Sequence, residues 1–127
     1  MALRYDSKTW ENRPQKLVWD KIRPYVGYQP GIEDTSLPSI FGWCVDQLRV
    51  RYDIYVSVTP HVQTVSKGGL LTSELIFHFT GDIIQLDNGK MVKSMRYTGT
   101  DYVTVMNNCL ELVGNYLASD EYANSRK

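Results

Sequence analysis

The period of the hydrophobic pattern changes near residue 53. From 37 to 51, apolar side chains recur at the three- and four-residue spacing of one helix face. Immediately afterwards, Ile54, Val56 and Val58 alternate with polar or aromatic residues, which is the two-residue period of a half-buried strand. A chain that makes this switch is typical of an α+β fold. The residues of the helical stripe are Ile40, Phe41, Cys44, Val45 and Leu48.

The alternating segments predict an antiparallel sheet of three or four strands. Pro60 is expected to end the first strand, because proline cannot donate to a hydrogen-bond ladder. Gly81-Asp82 is expected to break the second strand. Asn88-Gly89 between apolar runs is a strong hairpin signal, so the segments beside it are predicted to pair. The expected strands cover residues 54–59, 70–80, 83–86 and 91–97.

Two main helices are predicted to cover one face of this sheet. The helix at 37–51 has Ser36 as its N-cap, and the helix at 101–119 has Thr100 in that position. The opposite face is expected to carry Tyr55 and its neighbours on the first strand. The order of elements is α-β-β-β-α, with a fourth strand where the second one breaks.

The length of 127 residues fits a single domain, which we place at 37–119. Residues 1–36 are predicted to form an aromatic N-terminal arm with a short helix at 14–22, ended by Pro24. The polar tail 120–127 is expected to fray.

Charge and cysteine content exclude several classes of function. Fourteen basic residues balance fourteen acidic ones, which argues against nucleic-acid binding through bulk charge. There is no apolar run of 18 residues and no apolar segment of a secretory signal, so a cytoplasmic location is expected, without membrane contact. Cys44 and Cys109 lack the spacing of a zinc site and are predicted to be buried, reduced thiols. No metal or cofactor is predicted.

Catalytic motifs are absent from the sequence. It contains no phosphate-binding glycine loop, nucleophile elbow or zinc-protease motif. His78-Phe79-Thr80 resembles one half of the motif of two-histidine phosphoesterases, but His61-Val62-Gln63 does not supply the second half. We therefore interpret His78 as a surface strand residue beside Glu74. An enzyme that uses His78 as an acid or base remains an alternative.

Aromatic residues give the strongest indication of function. The chain has nine tyrosines and three tryptophans, and both residue types are enriched at protein interfaces. Packing of the arm on its own domain and contact with a partner are equally favoured. The candidate partner-binding residues are Trp10, Trp19, Tyr25, Tyr28 and Tyr55.

A second, smaller signal is basic. Arginine and lysine interleaved with tyrosine suit single-stranded nucleic acid, although the balancing acidic residues favour an ordinary solvated face. The candidate residues are Arg49, Arg51, Lys93 and Arg96.

The run from Leu37 to Val56, with Phe41 and Trp43 on a helix that leads into a strand, resembles a group of small proteins of Bacteroides-type genomes and their prophages. The likeness extends over about 37–118. Val45 stands where that group usually has arginine. The resemblance implies a mobile-element or gut-commensal origin, and it transfers no functional residue because no activity is assigned to the group.

These observations favour a small non-catalytic module that binds another protein or a second copy of itself. A nucleic-acid-associated accessory protein is the first alternative, and an enzyme the second.

Overall fold

A computed structural model describes residues 14–32, 35–66 and 73–125 of the chain. Four helices and three strands make up this part of the molecule. In chain order they are α1 (Pro14–Val26), α2 (Leu37–Tyr52), β1 (Ile54–Ser66), β2 (Ser73–Asp87), β3 (Lys90–Gly99), α3 (Tyr102–Leu117) and α4 (Asp120–Ser125).

The strands form one antiparallel sheet in the order β1-β2-β3, with α2 and α3 as the two main helices packed on it. The predicted α+β class is confirmed. Asn88 and Gly89 join β2 to β3 with φ angles of 54° and 79°, the left-handed backbone of a tight hairpin turn. The hairpin predicted from Asn-Gly is therefore present.

Two predicted strand breaks are wrong. Pro60 lies inside β1, which continues to Ser66, and Gly81 lies inside β2, which continues to Asp87. Pro60 is tolerated because β1 is an edge strand of the sheet. Gly81 is needed where it stands, because a Cβ there would overlap Sγ of Cys109 on α3.

The boundaries of α2 and α3 follow from local chemistry. Ser36 caps α2 as predicted, and its hydroxyl accepts a bond from the N–H of Ser39. At the other end, Asp53 takes a left-handed conformation (φ 57°) and turns the chain into β1. The cap of α3 is Asp101 rather than Thr100, since the carboxylate accepts from the Thr104 N–H at 2.9 Å.

The first and last helices differ from the prediction. Pro24 does not end α1, because it sits in the last turn, and the helix closes at Gly27, whose N–H donates to the Arg23 carbonyl. The tail forms the short helix α4. Lys93 on β3 holds α4 through Glu121, at 2.9 Å.

The core lies between the helices and one face of the sheet. The core includes side chains of α1, among them Val18, Trp19 and Ile22. Ile32, from the segment after α1, also belongs to it. Residues 18–32 of the predicted arm thus pack on the domain. The opposite face of the sheet carries Tyr55, Ser57 and Thr59 at exposed positions, as the alternation predicts.

Candidate functional site: a projecting β-ribbon

The β1-β2 hairpin extends beyond the rest of the sheet. β3 ends at Gly99, opposite Phe79, whereas β2 and β1 remain paired out to Ser73 and Ser66. Beyond the Pro60–Phe79 pair, where β3 ends, two paired strands remain. Residues 60–66 and 73–79, counted from that pair, are here called the β-ribbon. Two strands without further support are only marginally stable in water, so a projection of this kind needs cover or a partner.

One face of the β-ribbon continues the core face of the sheet. Side chains alternate along a strand, so Val62 lies on the same side as the buried Ile54 and Val56. Val62 pairs with Phe77, and Leu75, two residues before Phe77 in β2, lies on the same face. These three side chains, here called the apolar row, are 58% (Val62), 52% (Phe77) and 59% (Leu75) exposed.

Aromatic contacts mark the place where the helices stop covering this face. Phe41 of α2 is buried, and its ring lies 6.4 Å from that of Tyr102 at the start of α3. Tyr102 in turn contacts Phe79, with 5.9 Å between ring centroids. Phe79 is half-buried and Phe77, two residues on, is exposed. The apolar row is thus an exposed continuation of the core face, and among the described residues no helix packs over it.

The outer edge of β1 is open along the part of the chain that the structure describes, where the only strand paired with β1 is β2. The carbonyl of Asp53 accepts a hydrogen bond from the Leu86 N–H. The backbone N–H and C=O groups of the odd-numbered residues of β1 therefore point toward β2, and those of the even-numbered residues point to the open edge. Pro60 is even-numbered, and its missing N–H therefore costs no bond to β2. No Asp, Glu, Lys or Arg occurs between 54 and 66. Natural edge strands commonly carry such charges, which discourage pairing with another strand.

The opposite face of the β-ribbon carries both histidines of the chain. His61 and His78 stand directly opposite each other in the register, and their rings stack with centroids 4.8 Å apart. His61 is exposed and His78 half-buried. Nearer β3, Arg96 donates to Asp82 at 2.8 Å on the same face.

Of the five predicted partner-binding residues, Trp10 lies outside the described residues. Two others, Trp19 and Tyr25, pack against residues of their own domain. Trp19 is 3% exposed and packs on Trp43. Tyr25 is half-buried, and its carbonyl accepts a bond from the Tyr52 hydroxyl at 2.8 Å. These side chains fix α1 to the domain.

The remaining two aromatic residues are exposed and lie on different segments of the chain. Tyr28 lies after α1 and contacts the Arg23 guanidinium, 5.2 Å from the ring centroid. Tyr55 lies on the open sheet face and donates to the Asp53 carboxylate. Because Trp19 is buried and Tyr25 is half-buried, the candidate residues do not form one exposed patch within the described structure.

The four predicted basic residues are also dispersed. Arg49 and Arg51 share the last turn of α2, and Arg49 lies 3.9 Å from Asp46. Lys93 lies on the helix side of β3, where it binds Glu121. Arg96 lies on the opposite face, paired with Asp82. Acidic neighbours thus accompany three of the four cations.

The two cysteines are free, buried thiols, as predicted. Burial raises the pKa of the Cys44 thiol to about 12 and that of Cys109 to about 11. Thiolate, the reactive form, is therefore scarce at neutral pH. Within residues 14–32, 35–66 and 73–125, no three metal-ligating side chains gather together.

Sequence reasoning did not identify the apolar row. The alternating pattern of 70–80 places Leu75 and Phe77 on one face of a strand, but it contains no information on where the helices stop covering that face. Three features together indicate this site: the length of the β1-β2 hairpin, the apolar residues at its far end, and the absence of charged residues from β1.

No protein-family profile, curated protein or solved structure matches the chain. The likeness to proteins of Bacteroides-type genomes and prophages therefore stays a prediction. Among the described helices, none has the length and apolar character needed to cross a membrane.

Proposed function

We propose that this protein is a non-catalytic assembly module and that its β-ribbon binds the β-ribbon of a second copy. The observation that carries the proposal is the apolar row of Val62, Leu75 and Phe77, which continues the core face and is more than half exposed at each residue. Apolar surface that lies together and open to water marks sites of protein contact.

A second copy is the occupant that best fits the charges. The apolar row contains no ionised group, and the adjoining edge of β1 contains none either. The whole chain has a formal net charge of zero, so two copies do not repel one another at long range. An apolar row packed on its own symmetry mate also gives the self-complementary contact that a twofold dimer requires.

The size of the surface sets the expected strength of the dimer. Seven residues of strand are about 23 Å long and two strands are about 10 Å wide, which gives roughly 230 Å² per copy. Stable complexes bury about 800 Å² per partner. The expected dimer is therefore weak and concentration-dependent, with a Kd of roughly 10⁻⁴ M. Pairing of the open β1 edges would add main-chain hydrogen bonds.

Sedimentation equilibrium tests the proposal over a range from dilute to near-millimolar protein. Val62→Lys and Phe77→Lys each place a charge in the apolar row, so both are expected to stay monomeric while keeping the wild-type circular dichroism spectrum. Val92→Lys is the matched control, because Val92 is also an exposed strand valine (48%) but lies on β3. The control is expected to dimerise like the wild type.

Two results would overturn the proposal. One is a wild-type chain that remains monomeric at the highest concentration. The other is a loss of the dimer in Val92→Lys as large as that in Val62→Lys, because association would then not depend on the β-ribbon.

A further inference from the structure

Two histidines stack on each other at the base of the β-ribbon, on the face opposite the apolar row. Dimerisation through the apolar row gives them no role. His61 on β1 and His78 on β2 occupy directly opposed register positions, and their ring planes differ by 18°. They lie on the open face of the sheet, away from the core. Directly opposed residues whose backbones hydrogen-bond to each other have Cα atoms about 5.5 Å apart, close enough for two imidazoles to share one ligand.

The ring nitrogens are available for a ligand. Among the described residues, neither imidazole makes a hydrogen bond or an ion pair, and the aromatic contact of each ring is with the other. His61 is exposed, so solvent and solutes reach the pair. Neutral imidazole is the commonest protein ligand for metal ions and suits zinc, copper and nickel.

From this geometry we infer that His61 and His78 together bind a divalent transition-metal ion, of which Zn²⁺ is the probe. Zinc binds imidazole nitrogen at about 2.0–2.1 Å, so two nitrogens at tetrahedral angles lie about 3.3 Å apart. Rings stacked at 4.8 Å reach that separation by tilting toward each other. The torsion between Cβ and the ring has broad minima and permits the tilt.

The site is a two-ligand one. Within the described residues no third His, Cys, Asp or Glu gathers with the pair, so water molecules complete the coordination. Both thiols are buried and do not compete for the ion. Micromolar rather than nanomolar affinity is therefore expected.

The position of the pair gives the ion a structural effect. His78 lies next to Phe79, which pairs with Gly99 at the end of β3. An ion bound by His61 and His78 therefore links β1 to β2 at the point where the sheet narrows to two strands. Binding to the folded state alone raises stability by mass action. Zinc is thus expected to stabilise the β-ribbon, whether or not a second copy is bound.

Isothermal titration with ZnCl₂ tests the inference on chain freed of metal with a chelator. The wild type is expected to bind one ion per chain. His61→Ala and His78→Ala are each expected to weaken binding by about tenfold or more. Gln63→Ala, an exposed position two residues along on the same face, is the control and is expected to bind like the wild type. Zinc is expected to raise the Tm of the wild type and of Gln63→Ala only.

Because the chain has two histidines, the double variant His61→Ala/His78→Ala contains no imidazole at all. Wild-type zinc affinity in this variant would overturn the inference, since the ion would then sit elsewhere. The conservative variant His61→Gln guards against a trivial loss of structure. It retains a polar side chain of similar length, so circular dichroism in chelator is expected to match the wild type, while zinc binding is weakened as in His61→Ala. Unchanged affinity in His61→Gln would also overturn the inference.

Discussion

A single glycine fixes the distance between the sheet and α3. Gly81 is buried in β2, and a Cβ at this position would overlap Sγ of Cys109 and lie 3.1 Å from Val105 Cγ1. Gly81→Ala is therefore expected to lower the free energy of unfolding by about 1–3 kcal/mol, the usual cost of overpacking. Urea unfolding followed by circular dichroism measures the change.

The matched control is a glycine with open space around it. Gly42 is exposed on α2, and a Cβ added there would meet nothing within 4 Å, so Gly42→Ala is expected to raise stability by up to about 1 kcal/mol. Cys109→Ala makes room for the new methyl group and should recover part of the loss in Gly81→Ala. A Gly81→Ala chain as stable as the wild type would contradict the close packing of α3 on β2.

Between elements, one buried hydrogen bond joins α3 to the sheet. The Tyr116 hydroxyl donates to Oε1 of Gln85 on β2, and both residues are almost fully buried. Tyr116→Phe leaves that acceptor without its donor, so a loss of about 1–3 kcal/mol in unfolding free energy is expected. Tyr55→Phe removes a hydroxyl that bonds Asp53 at the surface and is expected to change stability by less than about 0.5 kcal/mol. Equal effects of the two variants on the urea midpoint would contradict this account.

The same elements show how far local sequence reasoning reaches. The Ser36 cap and the Asn88-Gly89 turn were predicted because each acts through its own backbone. The predicted strand breaks at Pro60 and Gly81 are wrong because tertiary contacts decide both positions. Pro60 is tolerated because it lies on the open outer edge of β1. Gly81 is required because α3 packs closely against β2 at this position. The apolar row was missed for the same reason, since the end of the helical cover is a property of packing.

Across the whole molecule, stability is expected to be uneven. The β-ribbon has two strands and an exposed apolar face. Residues 81–87, in contrast, pair with β3 along their whole length and, as far as Gln85, with β1 as well, and helices pack on this part of the sheet. Backbone amides exchange fastest where local opening costs least. In dilute protein, residues 60–66 and 73–79 are therefore expected to exchange hydrogen for deuterium much faster than 81–87.

Hydrogen exchange in the β-ribbon is also expected to depend on protein concentration, unlike exchange in the rest of the sheet. If two copies meet through their apolar rows, hydrogen exchange at 60–66 and 73–79 slows as protein concentration rises, because opening must first break the dimer. Exchange at 81–87 is expected to stay unchanged. Val62→Lys should abolish the concentration effect, and Val92→Lys should leave it intact. Equal protection of the β-ribbon and of 81–87 in dilute wild-type protein would contradict the marginal stability from which the need for a partner is argued.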